Sequence, residues 1–83
     1  MIEQYQSDID DIKQNLDHAS LTNRERLQLI FSIGKLSDQI LADYEKQTVH
    51  TLRWPQVKAQ VGWLDNWEHA ELKLFTEHLT FSN

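Results

Sequence analysis

Residues that interrupt helices are scarce in this chain, and that scarcity limits the fold more than any other feature. Only two glycines, Gly34 and Gly62, and one proline, Pro55, occur in 83 residues. A β fold needs frequent turns, and turns depend strongly on glycine and proline. Three such residues are too few, so the sequence predicts an all-α fold in a single domain over residues 1–83.

Hydrophobic periodicity predicts three helices, at about residues 2–19, 23–46 and 55–79. In the first helix, apolar residues recur at alternating intervals of three and four, which is a heptad pattern. This heptad stripe consists of Ile2, Tyr5, Ile9, Ile12, Leu16 and Ala19. Its arc of about 100° is wide enough to contact only one neighbouring helix.

The long central helix is the most apolar element, and its apolar arc of about 160° predicts contacts with both other helices. Thr22 and Glu25 have the spacing of a capping box at its start. Gly34 costs about 1 kcal/mol relative to alanine within a helix, so its place in the arc suggests a close helix–helix approach. Phe31 lies at the edge of the arc and is expected to be partly exposed. We expect this helix to support the fold and not to form a binding surface.

The second half of the chain leaves two points open. Residues 47–53 lack glycine and proline, yet Thr48 and Val49 favour a looser connection, and Pro55 favours a new helix start. A break between residues 47 and 54 is therefore predicted. Gly62 could divide the third helix, so the prediction is a three-helix bundle, or four segments if that helix breaks near Gly62.

Composition excludes several classes of protein. The chain has no cysteine, which rules out disulfides, thiolate metal sites and cysteine nucleophiles. It has no apolar run near the ~18 residues of a membrane span and no recognisable signal peptide, so we expect a cytoplasmic protein. Its net charge is −5, which disfavours binding to nucleic acid or to anionic lipid.

The acidic residues cluster in the first helix. Glu3, Asp10 and Asp17 repeat every seven residues on one exposed stripe, and Asp8 and Asp11 lie beside it. A solvated face is the simplest explanation of such a stripe. The alternative is that these carboxylates bind a basic partner protein, including one whose own ligand is a nucleic acid.

Three tryptophans, Trp54, Trp63 and Trp67, lie within fourteen residues. Tryptophan fills the cores of small proteins, and it is also enriched at the energetic centres of protein interfaces. We expect two of the three in the core and one, Trp63 or Trp54, on an exposed or interface surface.

Two sets of residues have patterns that occur in functional sites. Glu68, Glu71 and His78 share the inner side of the third helix and could bind a divalent metal or act as an acid–base set. The Glu-x-x-His spacing of carboxylate-bridged metal bundles is missing, so an interhelical hydrogen bond is favoured, and no metal or cofactor is predicted. Residues 26–44 loosely follow a helix-turn-helix pattern, but Lys35 occupies a position that is normally apolar.

The sequence therefore predicts a non-enzymatic protein–protein interaction module that binds through the first-helix acids and the tryptophans. Its small size and acidity suggest, by analogy, an inhibitor or adaptor of the antitoxin, immunity or anti-defence type. The alternative is a structural homodimer that pairs through the heptad stripe. A DNA-binding helix-turn-helix regulator and a metal-dependent enzyme are more distant alternatives.

Overall fold

A computed structural model describes residues 3–16, 18, 20–47 and 52–81, apart from the side chains of Glu3 and residues 78–81. A 3₁₀ turn at Glu3–Tyr5 precedes α1 (Gln6–Asn15), which is followed by α2 (Asn23–Lys46) and α3 (Trp54–Phe81). The three helices form the predicted all-α bundle with a long central helix. The bundle is thin, with dimensions of 51 × 18 × 16 Å.

The first helix is shorter than predicted. Periodicity suggested a helix over residues 2–19, but α1 ends at Asn15, and Leu16 is extended with φ −64° and ψ 136°. The Asn15 side chain donates a 2.9 Å hydrogen bond to the carbonyl oxygen of Asp11. Asparagine favours helix ends because its side chain competes for backbone hydrogen bonds. Residues 2, 17 and 19 of the predicted helix lie outside the described residues.

The start of α2 follows the prediction. The Glu25 amide donates to the Thr22 hydroxyl at 3.1 Å, and the Thr22 amide donates to the Glu25 carboxylate at 3.0 Å. Both halves of the capping box are thus present. The hydrogen bond from the Thr22 amide holds the pKa of Glu25 below its usual value.

The Gln47 side chain bridges the connection between α2 and α3 with two hydrogen bonds. The Gln47 amide nitrogen donates to the Leu52 carbonyl at 2.9 Å, and the Leu52 amide donates to the Gln47 side-chain oxygen at 2.8 Å. The helix break therefore lies within the predicted interval, although residues 48–51 are outside the described part of the chain.

The third helix is continuous through Gly62, so the four-segment alternative is wrong. Gly62 is exposed, and a Cβ added there would have no atom within 4 Å. A glycine within a helix costs about 1 kcal/mol relative to alanine, which lowers stability but does not by itself break the helix.

The core lies where α2 is covered by α1 on one side and by α3 on the other, as the width of its apolar arc predicted. Its apolar members are Tyr5, Ile9, Ile12, Leu29, Ile33, Leu36, Ile40, Leu52, Val57 and Leu64. All fully described side chains of the heptad stripe are thus buried or packed against this core within one chain, including Leu16 at its edge.

A hydrogen bond joins the beginning of α1 to the end of α2. The Tyr5 hydroxyl donates to the Asp43 carboxylate at 2.7 Å. Burial and this hydrogen bond raise the pKa of Tyr5 to about 12, because both favour the neutral phenol over the phenolate.

Candidate protein-binding surfaces

Glu71, one of the three residues considered for a metal or catalytic set, has a structural role. Its carboxylate is fully buried and forms an ion pair with the Arg26 guanidinium. Glu68, by contrast, is partly exposed, and the His78 side chain lies outside the described residues. Among the residues that the structure describes, no three His, Asp or Glu side chains are grouped closely enough to hold a metal ion.

Arg26 of α2 joins α3 to the α1–α2 connection, a role that was not predicted from the sequence. Besides pairing with Glu71 of α3, its guanidinium donates a 2.6 Å hydrogen bond to the carbonyl oxygen of His18, in the α1–α2 connection. Arg26 precedes Ile33 and Ile40 by seven and fourteen residues, so it shares their buried side of α2. That spacing was the available signal, because a charged residue in such a stripe needs a partner.

The acidic residues of α1 are exposed but do not form one continuous row. Asp8 and Asp11 line a groove of about 480 Å³ between α1 and α2, together with Lys35. Asp10 lies apart from that groove and accepts a 2.6 Å hydrogen bond from the Gln6 side chain. The Glu3 side chain and Asp17 are outside the described residues, so the predicted seven-residue repeat can be located only at Asp10.

The tryptophans are more exposed than predicted. Trp54 and Trp63 are 48 % and 50 % exposed, and Trp67 is partly buried at the edge of the core. The expectation of two core tryptophans is therefore wrong. A bundle only 18 × 16 Å across lacks the thickness to enclose several indole rings.

Side chains of both α1 and α2 contact tryptophans of α3. The Trp54 ring packs at 5.5 Å from the Tyr44 ring, measured between centroids. The Lys13 ammonium of α1 lies 5.8 Å from the centre of the Trp67 ring, within the range of a cation–π contact. Trp63 lies one turn before Trp67, so these two residues form a surface on the α1 side of α3, which we call the tryptophan surface.

A second exposed surface lies between α2 and α3. The sequence predicted the partial exposure of Phe31 but not the groove beside it. Phe31, at 67 % exposure, is the most exposed large apolar residue among those described. It borders a groove of about 590 Å³, here called the outer groove. The groove is lined by Ile30, Phe31, Gly34, Lys35, Asp38, Gln39, Ala42 and Glu68. On this side, α2 therefore has an exposed aromatic residue and a groove in addition to its supporting role.

Gly34 of α2 and Glu68 of α3 lie next to each other in this groove. The Glu68 carboxylate oxygen lies 3.2 Å from the point that a Cβ at position 34 would occupy. The contact is with the end of a flexible side chain, so the predicted reason for this glycine, a close interhelical approach, stays a prediction. Leu72, which is 44 % exposed, lies one turn beyond Glu68, on the same flank of α3.

The tryptophan surface and the outer groove are on opposite flanks of α3. Leu64 and Glu71 are seven residues apart and both fully buried, so they mark the inner side of the helix. Trp63 precedes Leu64 by one residue and Leu72 follows Glu71 by one, which turns each by about 100° in opposite directions. A single partner helix could therefore cover one of these surfaces but not both.

Compared with protein-family models, curated proteins and solved structures, the chain has no match. None of the helices in the described part of the chain has an apolar stretch long enough to cross a membrane.

Proposed function

We propose that this chain is a non-enzymatic protein-binding module. The observation that carries the proposal is the exposure of four large apolar side chains, Phe31, Trp54, Trp63 and Leu72, on a chain with a small core. Isolated exposed apolar residues are ordinary on any protein. Two aromatic-containing surfaces on so thin a bundle, each bordered by charged residues, are typical of sites that a partner covers.

The position of Glu71, the residue first considered as a general acid or base, supports a binding role over a catalytic one. Glu71, the most deeply buried carboxylate, is already paired with Arg26 inside the bundle. A general acid or base needs access to its substrate, and a buried ion-paired carboxylate has none. Binding, for which the exposed surfaces are suited, is therefore the better-supported role.

The partner is proposed to be a basic protein. Asp8, Asp10 and Asp11 are exposed on α1, and the whole chain has a net charge of −5. Such a charge speeds association with a positively charged partner and makes the rate sensitive to salt. A small acidic protein that covers a site on a basic partner would act as an inhibitor or adaptor, and this is the subclass that we favour.

Affinity purification from the native host tests the proposal. The tagged protein is compared with the variants Phe31→Ala and Trp63→Ala, with Lys73→Ala as an exposed control on α3. We expect one partner to be enriched with the wild type and the control, and to be depleted with at least one aromatic variant. Equal recovery of the same proteins by all four baits would contradict the proposal.

A variant with Asp8, Asp10 and Asp11 all changed to asparagine tests the electrostatic part. We expect slower association with the captured partner and a weaker dependence of that rate on salt. An association rate that is unchanged at every salt concentration would show that these carboxylates are only solvated surface groups and do not speed binding.

A further inference from the structure

We propose that the outer groove binds a basic amphipathic helix of about three turns, an inference that rests on the proposed protein-binding function. The groove extends along α2 from Ile30 to Ala42. Twelve residues of helix span about 18 Å, which matches a ligand helix of about twelve residues lying alongside. Helix-in-groove binding of this kind uses apolar anchors at positions i, i+3 or i+4, and i+7.

The fold itself shows what such a groove accommodates. On its other side, α2 is covered by α1, a helix of ten residues. The contact is made by Tyr5, Ile9 and Ile12, whose spacings of four and three place them on one stripe. The outer groove presents Phe31 and Ile30 on α2, with Leu72 further along α3, and it has no covering helix within the described residues.

The charges around the groove favour a basic ligand. Asp38 and Glu68 line it, and neither forms a hydrogen bond or an ion pair with any described side chain. Lys35 and Gln39 are shared with the neighbouring α1–α2 groove, where Asp8 and Asp11 add two carboxylates. Four carboxylates thus surround one ammonium group along the exposed side of α2. Lysine or arginine residues flanking a ligand's apolar stripe would pair with these groups.

Glu68 is the least exposed of these four carboxylates. It is only partly exposed, and one of its carboxylate oxygens lies 3.2 Å from the point that a Cβ at position 34 would occupy. A carboxylate that is partly removed from water gains more from a positively charged partner than one that is fully solvated. A second copy of the chain fits less well, because it would bring the same excess of carboxylates and another net charge of −5.

A defined peptide pair tests the inference. The probe is a fluorescein-labelled synthetic helix of about three turns, with leucines on one stripe and lysines on the flanks. Its twin carries glutamate in place of lysine. Fluorescence anisotropy is expected to show binding of the basic probe, with the acidic twin about tenfold weaker or worse. Absence of binding by the basic probe, or equal binding of the twin, would overturn the inference.

Matched variants locate the binding. Phe31→Ala is expected to weaken binding by about tenfold or more, since it removes the central aromatic anchor. Glu68→Gln should weaken binding and lower its salt dependence, whereas Trp63→Ala should leave both unchanged. Phe31 is largely exposed and Trp63 is half-exposed, and neither belongs to the buried core, so neither variant should unfold the protein. Loss of binding with Trp63→Ala and retention with Phe31→Ala would overturn the assignment to the outer groove.

Three further outcomes identify the occupant of the groove or separate this inference from the proposed function. Sedimentation equilibrium of the unliganded protein should show a monomer; a dimer that dissociates on Phe31→Ala would make a second copy the occupant. If the captured native partner binds Phe31→Ala normally and loses Trp63→Ala, the protein-binding function stands and the outer-groove inference fails. If no partner is captured by any bait, the proposed function fails, and the peptide measurements stand on their own.

Discussion

Replacing Glu71 with leucine should destabilise the protein strongly. Glu71 is fully buried and Arg26 is 7 % exposed. Removing the carboxylate leaves the guanidinium buried with only the His18 carbonyl as a described acceptor. Breaking a buried pair in this way costs roughly 3–5 kcal/mol. A domain of this size is stable by roughly 4–12 kcal/mol, so Glu71→Leu should lose a large part of its free energy of unfolding.

A double-mutant cycle separates the ion pair from the effects of packing. Arg26→Met should also destabilise, because it leaves Glu71 buried beside an apolar side chain. The double variant Arg26→Met/Glu71→Leu should be more stable than the sum of the two single changes predicts, by about 3 kcal/mol, since it buries no uncompensated charge.

Urea unfolding measures these free energies, with the loss of helix monitored by far-ultraviolet circular dichroism. Glu77→Leu, at an exposed site on the same helix, is the control and should change the free energy of unfolding by less than about 0.5 kcal/mol. The reasoning is refuted if Glu71→Leu behaves like Glu77→Leu, or if the effects of Arg26→Met and Glu71→Leu simply add. If Glu71→Leu does not fold, recovery of folding in the double variant would equally show that the unpaired buried charge causes the loss of stability.

Three further changes test other parts of the structure. Gly62→Ala should stabilise by about 1 kcal/mol and raise Tm by about 4–8 °C, since the added methyl enters open space; an unchanged or lower Tm contradicts this. The buried Gln60 side-chain nitrogen has no hydrogen-bond partner among the described residues, so Gln60→Met should stabilise by about 1 kcal/mol in urea unfolding. Tyr5 should ionise only near pH 12 in an absorbance titration. Its pKa is raised in the folded state, so its contribution to stability is complete below pH 10 and is lost as the pH rises through about 12. Asp43→Asn should lower this pKa, and an unaltered titration would remove Asp43 as a cause.

Local patterns predicted the parts of the fold that depend on neighbouring residues. The capping box at Thr22 and Glu25 and the wide apolar arc of α2 both follow from spacing along one helix. The early end of α1 could not be predicted from spacing, because the heptad stripe continues to Ala19 and gives no sign that Asn15 ends the helix. Helix ends depend on small differences in hydrogen bonding, which periodicity does not record.

The exposed surfaces were harder to predict because periodicity identifies an apolar face without showing what covers it. Phe31 lies at the edge of the arc of α2, and its exposure follows from the lack of a further helix beside it in the described structure. The tryptophans were misplaced for a related reason, since the thickness of the bundle is a property of the assembled helices. Arg26 was recognisable from its spacing to Ile33, but its partner Glu71 is 45 residues away.

An NMR titration of the labelled protein with the basic amphipathic peptide tests the central claim most directly, because it reports where the ligand lies. The outer-groove assignment predicts that the amide signals of Phe31, Gly34, Asp38, Glu68 and Leu72 shift together and saturate at one equivalent. The signals of Trp63 and Trp67, on the opposite flank of α3, should stay in place. Shifts centred on Trp63 and Trp67, with the outer groove unaffected, would contradict the account.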